Sequence, residues 1–396
     1  MRGTTGGHGF FIFLVVMIVA KILVFYFCAI QPFGIHGDAD QYHAYALGLD
    51  DQAYSVWSPA LRFLHSIGWY SREGVAWVLL GLNILAIPAL AALAVIGRDM
   101  TPGGRREAGW AVAVLVSLYP ALYFYALDVY RDEFMMFVFV LGLSCTRRML
   151  DEGLSAWARW MWGLSCMTCI WVLYLLRPYL GAAFLVALPC AFLFDFGRAR
   201  LWRWGLAYLA GLNLVFALGW LDRVAVHYRA IFATFDGDTT VGIVFDSPWT
   251  FLVQFIRSWL YQMLGLYFPT GVSWLPFFLE SVPFIAASCW LLRNRRYADR
   301  YVGFLVVFFF AYATVWVLGN DNLGAAVRLR MFNYVTVLVA CGVVWGNRAQ
   351  MGFLKSCNDS AEPAQLGRLL QMPQSGFLSS TSGVGADGYR NQSSRQ

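Results

Sequence analysis

Four short stretches of this chain hold most of the side chains that could do chemistry. The first, "GIHGDADQYHAYALGLDD" (Gly34–Asp51), offers His36, Asp38, Asp40 and His43, with Asp50 and Asp51 behind them. The second, "DVYRDEF", brings Arg131, Asp132 and Glu133, and the third, "RPY", brings Arg177. The fourth, "GNDNLGAAVRLRMFNY", crowds Asn320, Asp321, Asn322, Arg328 and Arg330 together. A carboxylate can take a proton from an attacking hydroxyl, and a guanidinium grips a phosphate through two parallel N–H bonds. One base with several guanidinium groups suits an anionic, phosphate-bearing substrate. His36, Asp38, Asp40 and His43 are also donor types that ligate divalent ions, although their spacing matches no metal motif; a metal stays open without being favoured. Asp50 and Asp51 read as solvated loop acids, and any single arginine here has a plainer alternative, a long side chain reaching for the membrane surface.

The elements between these stretches are apolar. The chain is 59% hydrophobic and 13% charged, where a soluble protein carries about a quarter charged residues. Runs of spanning length fall at roughly 9–30, 74–97, 109–127, 131–147, 159–176, 179–197, 203–221, 273–292, 302–318 and 331–346. The expected fold is therefore all-α, a polytopic membrane bundle of about ten transmembrane helices. The N-terminal run is too long for a signal peptide and has no small-residue cleavage site, so it reads as the first span. Arg177-Pro178 divides one long run into a tight hairpin. Cys166-x-x-Cys169 lies mid-span without a second ligand pair, as small buried hydrophobes do. Of the 29 basic residues only Lys21 and Lys355 are lysine. Lys21 stands alone in span one and needs a partner inside the bundle.

Charge sets the expected orientation. With the N-terminus cytoplasmic, the inner loops collect Arg98, Arg105, Arg106, Arg147, Arg148, Arg198, Arg200, Arg203, Arg293, Arg295, Arg296 and Arg300, while most acids fall outside. That is the positive-inside pattern, N-in and C-in. Residues 1–346 form the bundle, with outer loops at 31–73 and 222–272; 347–396 read as a disordered cytoplasmic tail rich in Ser, Gly and Gln. Within the outer loops, "SPALRFLHSIGWY" reads as an amphipathic surface helix, and "TFLVQFIRSWLYQMLGLYFP" lies along the interface or re-enters. All four chemical stretches fall on the outer side, as one polar site at the mouth of a bundle.

"HGDADQYHAYA" directly after span one, "YRDE" at a later outer turn and "NDNLGAAVRLR" before a late span resemble motifs of the GT-C superfamily of polytopic glycosyltransferases and of the related bacterial polymerases that join polyprenyl-linked repeat units. The resemblance covers roughly residues 9–346; it lacks the large soluble outer domain of some members, and the tail is unmatched. It implies a sugar donor on polyprenyl phosphate or pyrophosphate and a glycan acceptor. Asp38 would be the general base, with Asp40 as alternative or helper. Arg131, Arg177, Arg328 and Arg330, with Asp132 and Asn322 beside them, would hold the phosphate as it leaves. Implied partners are membrane lipid and polysaccharide assembly machinery, not nucleic acid, at a bacterial inner membrane.

Two other classes remain. A flippase or transporter of a lipid-linked oligosaccharide or other anion would place its polar residues near the midplane on broken helices, often in paired repeats. Here the charges gather at one face and no repeat is visible. A scaffold without chemistry is the third.

Overall fold

The computed structural model describes residues 5–30, 37–53, 55–95, 102–221, 241–268, 271 and 274–370, with side chains described from 11 to 27 and, within those ranges, from 37 to 95 and from 107 to 352. The described residues are helical and contain no strand. In chain order the helices are α1 (Thr5–Ile30), α2 (Asp38–Ala46), α3 (Trp57–Ser66), α4 (Arg72–Val95), α5 (Pro102–Ser117), α6 (Pro120–Phe124) and α7 (Arg131–Met149). There follow α8 (Ala156–Leu176), α9 (Pro178–Leu193), α10 (Leu201–Ala217) and α11 (Pro248–Gln262). The last three are α12, a composite over 274–293 with a π-helical turn at Phe277–Ser281, then α13 (Arg300–Gly319) and α14 (Leu323–Leu370). Met1–Met351 is one compact unit; Gly352–Gln396 is a second, helical through Leu370.

Five described helices are long and apolar enough to cross a membrane: Arg72–Val95, Ala156–Leu176, Trp274–Arg293, Arg300–Gly319 and Leu323–Gly352. The ten-span expectation is not met at that standard. Phe11–Phe27, Glu107–Ser117 and Pro178–Leu193 are apolar but shorter, and α7 carries Arg131, Asp132, Glu133, Arg147 and Arg148 at its ends.

The expected third span, 109–127, is not continuous. Helix α5 stops at Ser117, and Pro120 opens the separate short α6, because proline cannot donate to the preceding turn. The backbone groups that the short α6 and the turn after it leave open are satisfied by side chains. Leu122 O accepts from Asn83 Nδ2 at 2.7 Å, Ala121 N donates to Glu280 Oε1 at 3.1 Å, and Val129 O accepts from Trp57 Nε1 at 3.0 Å. Non-helical backbone inside an apolar bundle survives only when such partners surround it. Of the expected tail, residues 347–370 continue α14, and residues 371–396 lie outside the described residues. So do 222–240 of the expected outer loop.

Burial runs inside out relative to a soluble protein. Lys21, Asn83, Asp132, Glu133, Arg177, Glu280 and Arg330 are buried, whereas Trp157, Leu164, Trp171, Leu193, Leu206 and Leu214 are exposed. Exposed apolar faces of this extent belong against lipid. The centre is formed by α13 and α14, whose most apolar windows are 67% and 78% buried, and α8 and α12 lie outermost at 22% each. A knot of rings, Phe139 with Phe184, Phe308 and Phe332, ties α7, α9, α13 and α14 together. Close approach at the α8–α9 hairpin depends on Gly181, where a Cβ would lie 2.5 Å from the backbone nitrogen of Tyr174.

Polar contacts sort the helix ends into two groups. At one end Arg147 meets Asp299 at 2.5 Å, Arg300 meets Glu152 at 2.7 Å, and Asn347 Nδ2 donates to Tyr297 O at 2.9 Å. A cavity of about 1150 Å³ lies there, lined by Arg147, Arg148, Asp195 and Arg296 among others. The four chemical stretches meet at the other end.

Candidate functional site

Helix α2 holds the first pair of acids. Gly37 precedes it at φ 113°, a left-handed conformation that needs glycine. Ala39, Tyr42, Tyr45 and Ala46 face the core. Asp38 and Asp40 stand two apart, about 200° around the helix, so they diverge. Asp38 Oδ2 is bound by Arg328 Nη1, while Asp40 Oδ1 pairs with Arg72 Nη2 at 2.7 Å.

Asp132, in the first turn of α7, is the centre of the arginine group. It is fully buried. Arg328 Nε donates to its Oδ2, and Arg177 Nη2 donates to its Oδ1 at 3.0 Å. Arg177 is the single residue between α8 and α9, extended at φ −154° as a residue before proline prefers; that turn drives a buried guanidinium into the bundle. Arg131, at the start of α7, donates from Nη1 to Leu176 O at 3.2 Å. The guanidinium of Arg328 stands 5.6 Å from the Tyr125 ring centre and 5.8 Å from that of Tyr130.

The donors in this group exceed its acceptors. Arg131 Nε, Arg177 Nε and Nη1, and Arg328 Nη2 are buried without a hydrogen-bond partner. Three guanidinium groups face two carboxylates. Such a group is built to receive further negative charge, since a buried donor left unpaired costs about 1–3 kcal/mol. At the opposite end Arg147 and Arg300 are each paired with an acid, Asp299 and Glu152.

A second group adjoins the first. Arg72, opening α4, binds Asp128 through both Nε (2.9 Å) and Nη2 (2.5 Å) as well as Asp40. Beside it His43 Nδ1 and Tyr70 Oη are 2.8 Å apart. Burial and the neighbouring Arg72 hold the His43 imidazole below its usual range. Burial pushes the Tyr70 and Tyr130 hydroxyls up to about 12, so both remain protonated donors at neutral pH.

The other expected site residues go elsewhere. Arg330, two residues from Arg328, faces the far side of α14 and pairs with Glu280 at 2.8 Å, beside the π-helical turn. Asn322 caps α14, its Oδ1 accepting from Ala325 N at 3.0 Å. Glu133 turns away from Asp132 towards a third polar chain: Lys21 Nζ donates to Asn83 Oδ1 at 3.0 Å, and Asn83 Nδ2 to Glu133 Oε2 at 3.1 Å. That supplies the partner that Lys21 needs. Arg72, Asp128, Asn83 and Glu280 are the residues that reasoning from sequence passed over. Asp128 stands inside the "DVYRDEF" stretch, three before Arg131, and was the one with a visible signal.

Among the described residues no three His, Cys, Asp or Glu gather in metal-ligand geometry; His36 lies outside the described residues. No family model matches this chain, and no curated protein or solved structure matches it either.

Proposed function

We propose that this chain is a membrane glycosyltransferase that uses a polyprenyl-phosphate-linked sugar or oligosaccharide donor on the outer face of a bacterial inner membrane to build a surface or exopolysaccharide. The observation that carries the reading is the set of buried, unpaired guanidinium N–H groups on Arg131, Arg177 and Arg328 around Asp132. Their charge and bidentate geometry suit a phosphate that gains charge as it leaves. The resemblance of the three motifs to GT-C enzymes supports the same class.

The chemistry is a single displacement. A carboxylate oxygen of Asp38 takes the proton of the acceptor hydroxyl while the hydroxyl oxygen bonds to the anomeric carbon. The bond from that carbon to the phosphate oxygen breaks, and its electron pair leaves with the phosphate. Arg131, Arg177 and Arg328 stabilise that charge. The acceptor is a glycan, and the product passes to polysaccharide assembly machinery.

The alternative, a flippase of the same lipid-linked glycan, draws on the α5–α6 break, since transporters build sites at interrupted helices. Mass spectrometry of polyprenyl-linked glycans in cells lacking the chain separates the readings. Accumulated complete repeat units on the outer face mean a polymerase, and glycans short of one sugar mean a single-sugar transferase. Complete units confined to the inner leaflet would overturn the enzyme reading. Cells carrying Asp38→Asn, with the protein accumulating normally, are expected to match cells without it, and Arg328→Lys is expected to be damaging because an ammonium has no fork.

A further inference from the structure

In the arrangement described, one oxygen of Asp38 is committed to an arginine. Its Oδ2 is held by Arg328 Nη1, so the lone pair that would meet an acceptor hydroxyl is already taken. The same guanidinium holds Asp132 through Nε. The two carboxylates differ in burial: the Asp38 side chain is 44% exposed, that of Asp132 fully buried. Detaching Asp132 would strand a buried charge, which costs several kcal/mol. Detaching Asp38 releases a carboxylate into water, and partly exposed pairs are worth little. Asp38 is therefore the ligand of Arg328 that can be exchanged.

Charge says what would replace it. With Asp38 in place, Arg131, Arg177 and Arg328 stand against two carboxylates; with Asp38 released, three positive charges face Asp132 alone. The vacated Nη1 then joins Nη2 of Arg328, which is buried without a partner, as donors for one incoming group.

Resting on the phosphate-site reading, we infer that a dianionic diphosphate bridge, of the kind presented by a pyrophosphate-linked donor, displaces Asp38 from Arg328 and in doing so frees the base. The resting protein keeps its base idle on the arginine that the donor will occupy. The donor must bind before the acceptor hydroxyl can be deprotonated, so no proton is taken and no bond breaks in its absence. Arg328 is the pivot, with Asp132 as its fixed anchor and α2 as the part that moves.

The test uses the full chain in detergent or nanodiscs, with inorganic pyrophosphate as probe and calorimetric titration as readout. Asp38→Asn removes the competing charge and is expected to bind pyrophosphate about tenfold tighter than wild type, the scale of one charged hydrogen bond, while Arg328→Lys binds more weakly. Equal or weaker binding by Asp38→Asn would overturn the exchange and leave the phosphate site standing. Failure of the wild type itself to bind pyrophosphate would overturn the phosphate-site reading and the exchange with it. Should Asp38→Asn fold poorly, amide exchange over Asp38–Ala46 in wild type serves instead: it is expected to speed up on adding pyrophosphate, and unchanged or slower exchange would sink the proposal.

Discussion

A carboxylate two positions along a helix from another faces nearly the opposite way, and Asp38 and Asp40 use this to serve different arginines. Arg328 and Arg330 divide by the same rule, one to Asp132 and Asp38, the other to Glu280. Sequence places each pair side by side and says nothing of the angle between them until the helix is known. The His43–Tyr70 contact makes a prediction at this scale. Burial holds the His43 pKa below the value of 6.5 that it has when unfolded. The folded protein thus binds fewer protons there, and the neutral ring's contribution is complete above about pH 6.5. It is lost as pH falls through the lower folded value. Melting curves taken from pH 7.5 down to 5 are expected to show wild type losing stability relative to His43→Gln. Parallel curves would mean that the ring is not held neutral by its surroundings.

Each guanidinium is aimed by the element that carries it. Arg177 points inward because the α8–α9 turn is a single extended residue before Pro178, and Gly181 lets the two helices close behind it. That hairpin is readable from "RPY", since few residues fit before a proline at a helix start. The break between α5 and α6 is harder to read: Pro120 sits in a run apolar enough to pass as continuous, and only the surrounding Asn83, Glu280 and Trp57 make the break tolerable. Asn322 shows how a motif can mislead. In sequence it joins the arginines, yet its side chain caps α14. Asn322→Ser, which keeps a capping oxygen, is expected to retain both stability and product formation. Asn322→Ala is expected to lose about 1 kcal/mol of stability, read as a lower melting temperature. Lost product with an unchanged melt in Asn322→Ser would return the residue to the substrate site.

Taken whole, the described residues place apolar surface outside and charge within; the polar groups inside include the arginine group, Arg330 with Glu280, and Lys21–Asn83–Glu133. The apolar runs made the helical class legible, because a long run with few charges has little else to become. The partners were not legible, since Lys21 and Asn83 are 62 positions apart and Arg328 and Asp38 are 290 apart. Distances of that size carry no local pattern; only the packing of α1 against α4, and of α2 and α7 against α14, brings the groups together. If Lys21 and Glu133 act through Asn83 as one unit, their effects do not add. Lys21→Met and Glu133→Gln are each expected to lower accumulation in the membrane, and the double variant to lose less than the sum of the two. Additive losses would mean that the lysine and the glutamate are supported separately.

The lysine in α1 also bears on how the protein is made. Lys21 is synthesised long before Asn83 and longer still before Glu133, and an isolated lysine at the centre of an apolar helix costs roughly 2.5–3.5 kcal/mol in insertion. The apolar residues around it return about 0.3–0.6 kcal/mol each, enough to offset one lysine, so the first helix enters the membrane with its charge unmatched and gains its partners only as the fourth and seventh helices follow.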